Sequence, residues 1–146
     1  MPKLSVTHVA GDRFELQVRG HRLVCDQPVA DGGSDQGPTP TELFVASLTA
    51  CVAFYAGRFL ARHDLDPDGL RVDCDFTMSA DRPPRVASIV LRLVTPHPLP
   101  DNRRRALLAV ADHCTVHNSI RQPPDVRVTL VEPASADAAA QAGMEG

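Results

Sequence analysis

The sequence predicts an α+β fold: antiparallel sheet with two main helices packed on it, in the order βββ-α-ββ-α-β. Three observations predict it. The N-terminal stretch alternates apolar and polar side chains between short glycine turns. A strongly marked helix start follows a loop rich in Gly, Asp and Pro. The remainder again alternates, interrupted by one stretch of helical period.

The first strand is "KLSVTHV", with Leu4 and Val6 on one face, and Gly11-Asp12 marks a turn. "RFELQV" places Phe14, Leu16 and Val18 on one face, "RGH" turns the chain, and "RLVCD" is the third strand. Period two with short turns predicts an antiparallel meander. "QPVADGGSDQGPTP" is a loop, long enough to lie over a site or to link two layers. Thr39 fits the N-cap of the first helix, Pro40 position N1 and Glu42 position N3, a capping box with proline in its favoured place. Phe44, Leu48, Cys51 and Tyr55 then recur at intervals of four, three and four, one face of a helix expected to reach about His63.

"LRVDCDFTM" alternates with Leu70, Val72, Cys74, Phe76 and Met78 on one side, and "RVASIVLRLV" is the next strand. "PLPDNRRRALLAVADHC" is the second helix, with Asp101 as its N-cap and a stripe of Leu107, Val110 or Ala111, and Cys114. "DVRVTLV" is the last expected strand. Residues 1–132 form one domain, and 133–146 lack any apolar period and are expected to be a disordered tail. A chain of 146 residues is long enough for a real core, since about 150 residues bury roughly 68–70% of their unfolded surface.

The formal net charge is -3, and the basic residues are scattered, which argues against a nucleic acid or an anionic membrane as partner. The run Arg103 to Arg105 reads as the wet face of a helix. No uninterrupted apolar run reaches bilayer length, and the N-terminus lacks the apolar block of a secretion signal, so a cytoplasmic protein is expected. In that compartment Cys25, Cys51, Cys74 and Cys114 are not expected to form structural disulfides, and no two make a C-x-x-C pair. Cys74 and Cys25 alternate with apolar strand neighbours and read as small core hydrophobes. Cys51 and Cys114 lie on the apolar stripes of the two helices. The pattern alone leaves open whether they are core filler or a pair within disulfide reach, which requires Cα atoms under about 7 Å apart.

"GPTPTELFVASLTACVAF" followed by "ADHCTVHNSI" resembles the OsmC/Ohr family of thiol peroxidases, over roughly Arg13 to Leu130. That family shows a Pro-x-Glu-Leu helix start, a small-residue run into a first cysteine, and a later cysteine in a context such as Cys-Pro-Val-His. The resemblance implies an organic hydroperoxide reductase acting without a cofactor. Cys51 would attack the peroxide and become a sulfenic acid, Cys114 would close a disulfide with it, and a dithiol of lipoyl type would reduce the pair. It also implies an intertwined homodimer with active sites between subunits.

An ordinary thiol, titrating near about 8.5, is only a few per cent ionised at neutral pH, and an apolar setting opposes ionisation further. A cation is therefore needed. In the peroxidase branch it is an arginine of the N-terminal hairpin oriented by a glutamate at the helix start. By position Arg13 is the first choice, here able to reach the partner chain's cysteine, and Arg22 the second. The chain departs from that branch at the carboxylate. The branch motif runs Pro-Glu-x-Leu, whereas Pro40-Thr41-Glu42-Leu43 puts threonine in the carboxylate's place. Glu42 stands one residue, about 100° of helix, further round; it is a candidate orienter whose capping role explains it without catalysis.

His113 and His117, four apart, would share a helix face and can share a zinc if the helix persists, but no second ligand cluster is evident, and no metal is expected. The competing reading is a non-catalytic OsmC-like dimer binding a lipid or another small molecule. Aromatic residues are only 4% of the chain, so any alkyl pocket must be largely aliphatic, with Phe44, Leu48, Phe54 and Tyr55 as candidate lining.

Overall fold

A computed structural model describes residues 3–134. Three strands, β1 (Leu4–Ala10), β2 (Arg13–Val18) and β3 (His21–Cys25), form an antiparallel meander in sequence order. A 3-10 turn at Val29–Asp31 interrupts the loop to α1 (Pro40–Arg62). Strands β4 (Arg71–Met78) and β5 (Val86–Val94) make a second, two-stranded antiparallel sheet. Helices α2 (Asp101–Asp112) and α3 (Thr115–Arg121) follow. The architecture is the expected α+β, but among the described residues the α-helices number three and the strands fall in two sheets.

The capping box forms as read: the Thr39 hydroxyl accepts from the Glu42 N–H, and the Glu42 carboxylate accepts from the Thr39 N–H. These bonds satisfy two of the helix's orphan donors and fix where α1 begins. The buried stripe of α1 is Val45, Leu48, Val52, Ala56, Phe59 and Leu60. It is rotated by one position from the expected stripe: Leu48 is shared, Phe44 is exposed, and Cys51 and Tyr55 flank the stripe, half-buried. At 23 residues and a mean hydropathy of 1.7 over its most apolar window, α1 is long and apolar enough by length and composition to span a bilayer, contrary to the sequence reading. Its apolar side chains instead pack on β4, β5, α2 and α3 in two adjoining clusters, around Leu48, Val52, Ala111 and Cys114 and around Ala56, Phe59, Leu60 and Leu107.

Three expectations for the C-terminal half are corrected. Asp101 is the first residue of α2 rather than its cap; Pro100 occupies the cap position with no side-chain bond. The helix does not run through to Cys114. His113 ends it by bonding its own N–H to the Val110 carbonyl and its ring Nδ1 to the Ala109 carbonyl, at 2.8 Å. Asn118 Nδ2 then takes the His113 carbonyl at 3.1 Å, so the chain turns with its backbone groups satisfied and restarts as α3. The third correction concerns "DVRVTLV". Residues 125–131 carry no strand pairing, and Val126, Val128, Leu130 and Val131 are strongly exposed. A strand needs a neighbour to satisfy its backbone, and none of the described residues pairs with this segment. Of the expected tail, residues 133–134 have no regular structure and 135–146 lie outside the described residues.

The loop between β3 and α1 is held by a residue the sequence did not flag. Asp26 is buried at 1% exposure; its carboxylate accepts from the Gln27 N–H at 2.7 Å, the Gln36 N–H at 3.1 Å and the Ser34 N–H at 3.4 Å. Its own N–H bonds the Pro38 carbonyl at 3.2 Å, tying the end of β3 to the approach of α1. The loop returns so close to β3 that a Cβ at Gly37 would collide with the Val24 carbonyl. Burial alone pushes the Asp26 pKa up; the three N–H groups and the Arg13 charge outweigh it and leave the carboxyl below its ordinary value of 3.8. A depressed carboxyl pKa contributes stability above the unfolded-state value, and that contribution disappears as pH falls through the folded-state value. Asp26→Asn is therefore expected to lower the melting temperature at neutral pH. Thermal unfolding on acid titration should show the gap from wild type closing only below the ordinary carboxylate range.

Candidate functional site

Cys51 and Cys114 reach the same place by different routes. Cys51 projects from α1 beside its buried stripe and is half-buried. Cys114 sits at the break between α2 and α3, fully buried, in extended backbone at the N-cap of α3. Its Sγ accepts from the His117 N–H at 3.4 Å, a sulfur taking the part usually played by a Ser or Asp oxygen. The two side chains adjoin in the cluster of Leu48, Val52 and Ala111 and interact directly, and both are free thiols.

Burial pushes the Cys114 thiol above the ordinary thiol range; the N–H of His117 opposes this, contact with Cys51 and the Cys51 charge add to it, and the N–H of Val116 opposes it weakly. A buried thiol that resists ionisation is a poor first nucleophile, whereas the half-buried neighbour is open to reagents.

The other candidates are placed elsewhere in the chain. Arg13 opens β2 next to Asp26, whose carboxylate feels its charge, and no residue of β1, β2 or β3 belongs to the Cys51–Cys114 cluster. Arg22 is exposed and 3.9 Å from Glu15. Glu42 is committed to the cap and borders a groove on another side of α1, with Ala46, Thr49, Cys74 and Arg92. Cys25 is buried, and Cys74 is half-buried on β4. His117 stands 3.7 Å from Asp112, which also accepts from Arg121 at 2.8 Å; the break at His113 separates the two histidines that were to share a helix face. Among the described residues no group of three or more His, Cys, Asp or Glu is placed to hold a metal ion.

A groove of about 480 Å³ runs between α1, β5, α2 and α3, walled by Phe44, Leu48, Val52, Ile89, Leu91 and Leu108, with Ser88, Asp112 and His117 as its polar residues. Leu48, Val52 and Ala111 line it and also pack on Cys114. Two of the four expected lining residues, Phe44 and Leu48, are there; Phe54 and Tyr55 border a separate groove with Arg58 and His63. Sequence reasoning missed Asp26, Asp112 and Arg121, which have partners 8 to 10 residues away, across a loop for Asp26 and across the α2–α3 break for the other two, and so leave no periodic signal.

The family model described as OsmC-like protein matches residues 32–129. No curated protein matches the chain. Solved structures share the fold. A Psychrobacter arcticus protein, described as an osmotic stress induced and detoxification response protein, superposes with a TM-score of 0.75 at 24% identity, over 82% of this chain and 88% of its own. The organic hydroperoxide resistance protein OsmC of Legionella pneumophila gives 0.62 at 20%, over 85% and 91%. An OsmC-like protein of Mycoplasma pneumoniae gives 0.69 at 16%, over 88% and 96%. At these identities the likeness is one of fold.

Iodoacetamide applied to the native protein at neutral pH should label Cys51 before Cys114. Peptide mapping over time checks the order. Labelling of Cys114 should need unfolding or a pH above the ordinary thiol range.

Proposed function

The chain belongs to the OsmC-like protein family, and on that premise we propose that it reduces organic hydroperoxides through the Cys51–Cys114 pair. The observation that carries this reading is the meeting of a half-buried thiol and a buried one in a single cluster, whose Leu48, Val52 and Ala111 also line an apolar groove. The hydroperoxide resistance named for the Legionella relative is consistent with it.

The thiolate of Cys51 attacks the distal peroxide oxygen. The O–O bond breaks, the alkoxide leaves as alcohol with a proton, and Cys51 becomes a sulfenic acid. Cys114 attacks that sulfur, the S–O bond breaks, hydroxide takes the thiol proton as water, and a disulfide remains. A dithiol of lipoyl type returns the pair to thiols and is itself oxidised to a cyclic disulfide. Burial of Cys114 suits the resolving role, since only Cys51 needs to meet the substrate. The alkyl part of the substrate lies in the groove of Phe44, Leu48 and Leu108.

The active unit in this reading is an intertwined cytoplasmic homodimer. The meander carries Leu4, Val6 and Leu23 on one face, in register with Val18 and Leu16, and this apolar face is left about half exposed. Val126, Val128 and Leu130 alternate along an unpaired segment. Apolar surface of this extent marks an interface, and a second copy covers both elements at once. Arg13 then acts on the Cys51 of the partner subunit, with Asp26 as its acidic neighbour and Glu42 left to the helix cap. Capture of Glu42 by the cap, with threonine at position 41, is the one observation that favours the non-catalytic, small-molecule-binding alternative.

One equivalent of an alkyl hydroperoxide should produce a Cys51–Cys114 disulfide in non-reducing mass spectrometry and one equivalent of alcohol, and Cys51→Ser should consume none. Equal peroxide consumption by wild type and Cys51→Ser overturns the reading. Mixing inactive Arg13→Ala and Cys51→Ser chains after denaturation and refolding should regain about a quarter of wild-type turnover, because half the dimers then hold one complete site of two. No regain would rule out a site shared between subunits.

A further inference from the structure

Tyr55 lies one turn beyond Cys51 on α1, and Thr115 directly follows Cys114 as the first residue of α3. Their hydroxyls are 2.7 Å apart. Among the described residues this is the only side-chain hydrogen bond joining α1 to α3. Both ends are held in place. The Tyr55 ring packs against the cluster that contains Cys114 and meets the Phe54 ring edge-on at 5.7 Å. Thr115 is fixed in the first turn of α3, where its carbonyl accepts from the Ser119 hydroxyl at 2.9 Å.

The bond therefore ties together the two backbone segments that carry the sulfurs. Its value comes from what happens to Cys114. That sulfur caps α3 through the His117 N–H, and turning toward Cys51 weakens the cap. The Tyr55–Thr115 bond involves neither sulfur, so it persists while the sulfurs rearrange. We propose that Tyr55 and Thr115 are positioning residues: their hydroxyl pair holds Cys114 against Cys51 and raises the effective concentration of one sulfur at the other. The inference rests on the peroxidase reading, because it concerns closure of the same disulfide.

The test equilibrates the full chain in glutathione redox buffers, where the protein dithiol and glutathione disulfide exchange to give the protein disulfide and two glutathione thiols. Disulfide is quantified by non-reducing mass spectrometry. Tyr55→Phe and Thr115→Val should each lower the effective concentration roughly three- to tenfold, the factor a net hydrogen bond represents. Thr115→Ser should restore it, and the double variant should fall no further than either single one, since both remove the same bond. Tyr55 is the chain's single tyrosine, with no tryptophan present, so all of that emission comes from this side chain; in the reduced protein it should be the same in wild type and Thr115→Ser and differ in Thr115→Val. If Tyr55→Phe does not fold, the Thr115 pair carries the test. Equal effective concentrations in wild type, Tyr55→Phe and Thr115→Val overturn the clamp while leaving the peroxidase reading intact. Absence of any Cys51–Cys114 disulfide in wild type removes the peroxidase reading, and the clamp with it.

Discussion

The packing of α1 is the constraint on which the rest depends. Six of its side chains are buried, and the two clusters they nucleate hold β4, β5, α2 and α3 to one another. The rotation of its stripe decides the character of Cys51. Were the stripe centred on Cys51, the thiol would be sealed in the core and inert. With the stripe on Leu48 and Val52, Cys51 lies at the core's margin, touching the cluster while part of its surface stays open. Cys114 lies inside that same cluster. A difference of about 100° of helix thus leaves the Cys51 sulfur open to reagents while it still touches the cluster that buries Cys114.

The break at His113 is the second element of the arrangement. A continuous α2 would have carried Cys114 on a helix interior, with its sulfur surrounded by side chains and its backbone N–H already used. The break places it at an N-cap instead, where backbone N–H groups point at the sulfur. Two effects then oppose each other: burial disfavours the thiolate and the N–H groups favour it, and burial prevails. The result suits a residue that waits for an oxidised partner rather than one that attacks first.

Much of this was legible in the sequence, and the remainder was not for identifiable reasons. The capping box at Thr39 and Glu42 was readable because it depends on residues three apart in the chain. The strands of both sheets were readable because alternation is a local pattern. The phase of the α1 stripe was not: Phe44, Leu48, Cys51 and Tyr55 and the true set Val45, Leu48, Val52, Ala56 are both apolar series at helical spacing, and only tertiary packing chooses between them. The break at His113 depends on bonds from a histidine ring and an asparagine amide to carbonyls four and five residues away, which no apolar period records. "DVRVTLV" alternates as a strand does, yet pairing requires a neighbour that the described residues do not supply. Asp26 reads as an ordinary loop aspartate, and its burial follows from the loop closing over it.

The departure at Thr41 is less consequential than it looks from the sequence. The Glu42 carboxylate accepts from the Thr39 N–H, which assigns it to the cap, and among the described residues no arginine is paired with it. The arginine at the start of β2 nevertheless has an acidic neighbour. Strand pairing joins Phe14 to Cys25, which brings Arg13 and Asp26, the next residue on each strand, to the same end of the meander. The Asp26 carboxylate is ionised, buried and locked by three N–H groups, so its charge is fixed in position. The same aspartate ties β3 to the approach of α1 through its own N–H, so one residue both fixes the near end of the helix that carries Cys51 and sets a negative charge near Arg13.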